Sequence, residues 1–104
     1  MIITVTMNPA MDRTITIPSF VHGGINRIKT VETDIGGKGV NVSKTIKMLG
    51  GLSKAIGFAG GNSGDELKNT LKQLGIQPDF IPVNSELRCN TKIVEDNGCV
   101  TELN

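Results

Sequence analysis

Short apolar segments alternate along this chain with segments that begin with glycines and continue with the apolar spacing of a helix. Residues 36–39 and 60–64 are rich in glycine, and each segment precedes apolar residues spaced by three and four. Such spacing predicts two helices, the first ending at Gly50-Gly51 and the second at Gly75. The apolar positions are Val42, Ile46 and Leu49 in the first stretch and Leu67, Leu71 and Leu74 in the second. Strands are predicted at 1–7, which we expect to be buried, at 54–59 and at 80–83, so the chain is expected to form an α/β fold with a parallel sheet.

The remaining segments predict antiparallel strands. Residues 13–17 and 27–35 alternate loosely between apolar and polar, which indicates two strands joined by a long connection. Asn97-Gly98 predicts a two-residue hairpin turn that sets Cys99 opposite Asp96. Cys89 would then lie about 23 Å from Cys99, too far for a disulfide, so both thiols are expected to be free. The last strand reaches residue 104 without a turn or cap, so this position is not expected to be a natural domain boundary.

Charge and composition exclude several classes of function. Eleven Lys and Arg residues against ten Asp and Glu give a formal net charge of +1, so no field attracts nucleic acid or an anionic membrane. The longest apolar runs are far shorter than a membrane span, and no signal peptide is evident, which favours a cytoplasmic protein. No cluster of Cys, His or carboxylates has metal-ligand spacing, and His22 is expected to be a loop residue.

The segment 36–41 is the first candidate binding site. It consists of Gly36, Gly37, Lys38, Gly39, Val40 and Asn41. Unpaired amides at a helix start favour an anion or a hydroxyl-rich ligand, and Lys38 and Asn41 add a cation and an amide. The segment is not a Walker A loop, because the spacing differs and no Ser or Thr follows Lys38. The alternative is that the glycines only permit a tight turn.

Polar side chains elsewhere add two further candidates. Asp12 is expected just beyond the end of the first strand, where ligands of open α/β sheets bind, although it could instead cap the Asn8-Pro9 turn. Arg88, Asn90 and Lys92 alternate along a predicted strand and therefore share one face, suited to phosphate. The alternative is a solvated polar face. Arg27 and Lys29 repeat this pattern on an earlier strand, so Arg27 is also a candidate for substrate binding.

Four motifs, in order and at matching spacing, resemble the N-terminal half of ribokinase-type (PfkB family) carbohydrate kinases. They are Asn8-Pro9-Ala10-Met11-Asp12, Gly36-Gly37-Lys38-Gly39-Val40-Asn41-Val42, Gly57-Phe58-Ala59-Gly60-Gly61 and Arg88-Cys89-Asn90-Thr91-Lys92. The resemblance covers essentially the whole chain. It implies that Asp12, Lys38 and Asn41 hold the sugar, and that Arg88, Asn90 and Lys92 face the sugar and its phosphate.

The resemblance also implies the fold and the reaction. Residues 1–104 would form the N-terminal portion of a ribokinase-like sandwich, with a small antiparallel β-sheet lid at 13–17, 27–35 and 88–104. The implied substrate is a ketohexose phosphate, with fructose 1-phosphate converted to fructose 1,6-bisphosphate by ATP and Mg2+. Such lids often pair between subunits, so a homodimer is expected. The family's Gly-Ala-Gly-Asp catalytic motif does not occur here, so no catalytic residue is expected in this chain and the chain alone is expected to be inactive.

Other functions remain open at this point. A kinase acting on tagatose 6-phosphate would carry similar motifs. A non-catalytic module that binds a sugar phosphate would need only the candidate residues above. A nucleotide-binding fold using residues 36–39 for phosphates is a third, weaker interpretation.

Overall fold

The computed structural model describes all 104 residues, Met1–Asn104. In chain order its elements are β1 (Ile2–Thr6), β2 (Ala10–Ile17), β3 (Thr30–Gly36), α1 (Lys38–Met48), β4 (Ser53–Ala59), α2 (Gly61–Gln73), β5 (Gln77–Pro82), β6 (Arg88–Glu95) and β7 (Val100–Leu103). The chain forms two compact units. The first unit comprises Met1–Met11 and Ile35–Arg88, and the second comprises Asp12–Asp34 and Cys89–Asn104. Neither helix has the length and apolarity needed to cross a membrane.

The first unit is built on a three-stranded sheet in the order β1-β4-β5. Both strand pairs are parallel, with Thr4 opposite Ala55 and Phe58 opposite Ile81. Parallel neighbours need a crossover connection, and α1 and α2 lie in the segments that supply it. The α/β fold expected from the alternating pattern is therefore confirmed.

Both helices pack on one face of this sheet. The buried cluster includes Val40 of α1, Leu67 and Leu71 of α2, and Ala55 and Phe80 of the sheet. Burial of each large aliphatic side chain is worth about 1.5–3 kcal/mol, so these residues supply much of the unit's stability. Leu67 and Leu71 confirm two of the three apolar positions predicted for α2, whereas Leu74 is the C-cap residue and is 44% exposed.

The predicted buried face of α1 is wrong. Val42 is 51% exposed and Leu49 is 82% exposed, whereas Ser43 is fully buried. The Ser43 hydroxyl lies 2.6 Å from Thr4 Oγ1 and accepts a hydrogen bond from Ser53 Oγ at 2.9 Å. Because burying a hydroxyl is costly unless it is hydrogen-bonded, the partners on β1 and β4 allow Ser43 to face the sheet, and Val42 lies on the outer side.

Strand β1 is buried on one face only, contrary to the expectation of a buried strand. Thr4 and Thr6 face the helices and are each 6% exposed, while Ile3 and Val5 on the opposite face are 58% and 55% exposed. Successive side chains of a strand point to opposite faces, and both helices of this unit lie on the same face. Its β-branched composition therefore predicted the strand but not its degree of burial.

Strands β3, β2, β6 and β7 form a four-stranded sheet in that order, and β6 and β7 are antiparallel as predicted. The prediction of a two-residue turn is wrong, because the loop between β6 and β7 is one residue longer. Glu95 N donates to Cys99 O at 2.9 Å, and Gly98 N donates to Glu95 O at 2.9 Å. Cys99 is therefore opposite Glu95, and Gly98, with φ of 87°, completes a three-residue loop of the bulged type. Both cysteines are free, as expected.

Candidate functional site

The glycine-rich turn before α1 brings the start of this helix against the end of β1. Gly37 is the N-cap residue, with φ of 149°. A side chain at Gly39 would collide with the backbone oxygen of Val5 and the hydroxyl of Thr6. Glycine is therefore needed at this position for the tight turn, which agrees with the interpretation that the glycines permit a turn. The same turn leaves the first amides of α1 without a side-chain cap, so the turn and a binding role are compatible.

A cavity of about 280 Å³ lies beside this turn in the first unit. It is lined by Val5, Thr6, Met7, Asn8, Lys38, Gly39 and Arg88. Two cations and no carboxylate line it, and the buried Thr6 hydroxyl has no hydrogen-bond partner within the chain. The cations and the uncapped helix start together favour an anion such as a phosphate ester. The structure thus brings Lys38 and Arg88, which are distant in sequence, to one cavity.

Two polar residues of α1 lie near Gly36. Asn41 is exposed, and a Cβ placed on Gly36 would lie 3.0 Å from its Oδ1. Lys44 Nζ donates a hydrogen bond to Ile35 O at 2.8 Å, which adds a cation beneath the turn. Sequence reasoning missed Lys44. Its position three residues after Asn41 places both on one side of a helix, and this spacing could have indicated it.

The second glycine-rich segment has a different arrangement. At the start of α2, Glu86 Oε1 accepts from Asn62 N at 2.9 Å and Glu86 Oε2 accepts from Ser63 N at 2.8 Å. The Ser63 hydroxyl also donates to Oε2. The Ser63 hydroxyl first, and the amides of Ser63 and Asn62 after it, hold the pKa of Glu86 below its usual value. Glu86 was missed from sequence because its partners lie 23 and 24 residues away.

In the second unit, Asp12 and Asn90 are brought together. Asp12 lies within β2 and not beyond the end of a strand as predicted, because the chain becomes extended again directly after Asn8-Pro9. Asn90 Nδ2 donates to Asp12 Oδ1 at 3.0 Å. The carboxylate therefore bonds to β6, and the alternative in which Asp12 caps the Asn8-Pro9 turn is not observed.

A cavity of about 510 Å³ lies around this pair. Its lining residues are Asp12, Arg13, Thr14, Glu32, Thr33, Asp34, Asn90, Lys92, Glu102 and Asn104. Four carboxylates face two cations, and Lys92 Nζ lies 3.7 Å from Glu102 Oε1 in an exposed pair. Excess negative charge disfavours a phosphate, whereas carboxylates and amides bind hydroxyl groups well.

Arg27 is not brought to either cavity. Strand β3 begins at Thr30, so Arg27 lies in the connection after β2 and not on the strand predicted at 27–35. Its neighbour Lys29 forms an ion pair with Asp96 at 2.8 Å, and Lys29 N donates to Thr16 O. These bonds hold residues 27–29 in the connection before β3. The loose alternation of apolar and polar residues over 27–35 did not indicate this later start of the strand.

Comparison with known proteins identifies the family to which this chain is similar. Residues 5–104 match the model of the pfkB family carbohydrate kinases. The chain is 40% identical over 104 residues to a 1-phosphofructokinase of Borreliella burgdorferi and 38% identical to one of Bacillus subtilis; each match covers 100% of this chain and 34% of the relative. The solved structure of phosphofructokinase-2 from Escherichia coli in complex with substrates and products matches with a TM-score of 0.89 and 27% identity, covering 99% of this chain and 34% of that one.

The chain therefore spans about a third of the length of the curated relatives that it matches. Within that span the agreement extends over both units, since the family match runs from residue 5 to residue 104. By this match, this chain belongs to the pfkB family of carbohydrate kinases.

Proposed function

We propose that this chain supplies the sugar-phosphate-binding part of an ATP-dependent kinase that converts fructose 1-phosphate to fructose 1,6-bisphosphate. The observation that carries this proposal is the cavity in which Lys38 and Arg88 lie beside the uncapped start of α1. The names of the relatives from two bacteria support this substrate in preference to other sugar phosphates.

Each unit has its own role in the proposal. In the first unit, the Arg88 guanidinium and the Lys38 ammonium bind the phosphate ester together with the first amides of α1. Gly36, Gly37 and Gly39 allow the ligand to approach the backbone closely. In the second unit, Asp12 and Asn90 bind sugar hydroxyls, and Lys92 lines the same cavity. Arg27 lines neither cavity.

The chain's own contribution is positioning. Phosphoryl transfer depends on orienting the acceptor and stabilising charge, and Mg-ATP supplies the phosphoryl group when bound. No group of three or more His, Cys, Asp or Glu side chains in this chain could hold a metal ion. In kinases Mg2+ is held by one or two carboxylates together with the phosphates of the nucleotide and water, so a cluster of this kind is not needed for Mg-ATP to bind. We expect the chain by itself to transfer no phosphate.

We further propose that the protein acts in the cytoplasm as a homodimer paired through the four-stranded sheet. The two exposed free cysteines suit a reducing compartment. Strand β7 is an edge of the sheet, and all four of its residues are exposed. An edge strand offers unpaired backbone groups to a second copy. Sedimentation equilibrium should give a dimer for the native chain and a monomer for a Val100→Lys, Leu103→Lys double variant.

The test of function has two arms. Calorimetric titration of this chain with fructose 1-phosphate should show saturable binding, and fructose without phosphate should bind far more weakly. ADP release should then be measured with the whole polypeptide encoded by the reading frame, given Mg-ATP and either fructose 1-phosphate or tagatose 6-phosphate. Faster turnover of tagatose 6-phosphate would retain the family and change the substrate. Absence of sugar-phosphate binding in the first arm would overturn the proposal.

A further inference from the structure

The segment between β5 and β6 is fastened to the first unit at several points. Val83 N donates to Ala59 O at 3.2 Å. Leu87 packs against the buried cluster, and its amide donates to Ser63 Oγ at 2.8 Å. The backbone leading to Arg88 is therefore held against the end of β4 and the start of α2.

Glu86 makes the most hydrogen bonds in this segment. Its carboxylate accepts bonds from Asn62 N, from Ser63 N and from the Ser63 hydroxyl, all in the first turn of α2. A side chain at Gly61 would collide with this carboxylate, so the helix start closes tightly around it. Hydrogen bonds from backbone amides to an ionised carboxylate are about twice as strong as neutral ones, and the helix N-terminus favours the negative charge.

Ser63 links Glu86 to the residue before Arg88. Its hydroxyl donates to Glu86 and accepts from the amide of Leu87, so the same side chain fixes two successive residues. Arg88 follows at once and is the first residue of β6. Arg88 lines the cavity with Lys38, whereas Glu86 does not.

We propose that Glu86 is a positioning residue for substrate binding: its attachment to the start of α2 holds the backbone so that Arg88 lines the anion-binding cavity. The ligand does not contact Glu86. Loss of the carboxylate frees the segment and lets the long Arg88 side chain sample other directions. This inference rests on the proposed function, since it assigns the phosphate ester to Arg88.

The test measures affinity for fructose 1-phosphate and for inorganic phosphate by calorimetry in variants of this chain. Glu86→Gln should weaken both affinities by about tenfold, roughly the effect of one charge-assisted hydrogen bond. Ser63→Ala should weaken them in the same direction, and Glu86→Asp, which keeps the charge, should restore part of the loss. The matched control is Glu66→Gln, which removes the same charge from an exposed position on α2 and should change nothing.

A double-mutant cycle separates positioning from general stability. In an Arg88→Ala background, Glu86→Gln should cause no further loss of affinity, because Glu86 acts only through Arg88. An equal loss in both backgrounds, or full affinity in Glu86→Gln, would overturn the inference.

Failure of the proposed function can be distinguished from failure of the positioning role of Glu86. If the proposed function is wrong, the native chain and Glu66→Gln will bind neither fructose 1-phosphate nor inorganic phosphate. In that case ¹⁵N relaxation at Arg88 Nε decides the positioning role. A drop in its order parameter in Glu86→Gln, absent in Glu66→Gln, supports it. Equal order in all three proteins contradicts it.

Discussion

Asn90 donates a hydrogen bond to Asp12 across the neighbouring strands β6 and β2, with Nδ2 and Oδ1 3.0 Å apart. The two residues are separated by 78 positions in the sequence. The bond orients the Asp12 carboxylate. In the proposed site, a hydroxyl-bearing ligand would meet a carboxylate that is already held in place, which would reduce the entropy lost on binding.

Replacing Asp12 tests this arrangement. Asp12→Asn should lower the affinity for fructose 1-phosphate by about tenfold, because a neutral amide is a weaker acceptor for sugar hydroxyls and competes with Asn90 for orientation. Calorimetric titration measures the effect. Asp65→Asn, at an exposed position on α2, makes the same chemical change and should leave the affinity unaltered. Equal affinities for both variants would remove Asp12 from the site.

Replacing Lys38 tests the proposed phosphate subsite. Lys38→Ala should weaken binding of inorganic phosphate and of fructose 1-phosphate by about tenfold at low salt, and by less as salt screens the charge. Lys72→Ala, an exposed cation in the last turn of α2, is the matched control. If both substitutions weaken binding equally, the attraction is a general surface effect. If neither does, the glycine-rich turn has only a structural role.

Gly39 tests the close approach of α1 to β1. Gly39→Ala should lower the free energy of unfolding by about 1–3 kcal/mol, because the added methyl group collides with the backbone of Val5, which cannot move aside easily. Gly50→Ala introduces strain alone, since Gly50 has φ of 84° with open space around it, and should cost about 1 kcal/mol. Urea denaturation gives both values. Gly39→Ala should also lose phosphate binding, whereas Gly50→Ala should keep it. Native phosphate affinity in Gly39→Ala would contradict the close packing of α1 against β1.

Glu86 should make stability depend on acid pH. Its hydrogen bonds from Ser63 and Asn62 hold its folded pKa below the usual 4.5. Stability from these bonds is therefore fully present above the unfolded pKa and is lost as the pH falls through the lower folded value. Glu86→Gln should reduce the difference in unfolding free energy between neutral and strongly acid pH, whereas Glu66→Gln should not. The same pH dependence in the Glu86 variant and the native chain would exclude this assignment.

The two exposed cysteines should differ in reactivity. A hydrogen bond between the Cys99 thiol and Glu95, and the negative charge of Glu95, raise the pKa of Cys99 above its usual value of 9.0. Because the thiolate is the reactive form, Cys99 should react with an aromatic disulfide more slowly than Cys89 at mildly alkaline pH. Rates in Cys89→Ser and Cys99→Ser variants measure this. Glu95→Gln should accelerate Cys99 alone, and an unchanged rate there would refute the role of Glu95.

Local patterns were sufficient to predict most of the elements. The spacing of Leu67 and Leu71 predicted the buried face of α2, and Gly75, with φ of 77°, follows the end of that helix as expected. Asn97-Gly98 predicted the hairpin, although the loop is one residue longer than expected. These features succeed because periodicity and turn geometry depend on residues that are neighbours in the chain.

Contacts between residues that are far apart in the sequence could not be predicted from the sequence. The buried face of α1 depends on hydroxyl partners at Thr4 and Ser53, which no spacing within the helix could indicate. The carboxylate at the start of α2 comes from Glu86, beyond β5, where its sequence position resembles any exposed loop residue.

The amino-acid sequence by itself determined the α/β class, the glycine-rich turns and the residue types able to bind a sugar phosphate, because these depend on local backbone preference and side-chain chemistry. Only the tertiary structure decided which of those residues meet. It placed Lys38 with Arg88 and Asp12 with Asn90, and left Arg27 apart from both cavities. The physical reason is that such pairings depend on strand order, register and helix rotation, which are set by packing over the whole of each unit.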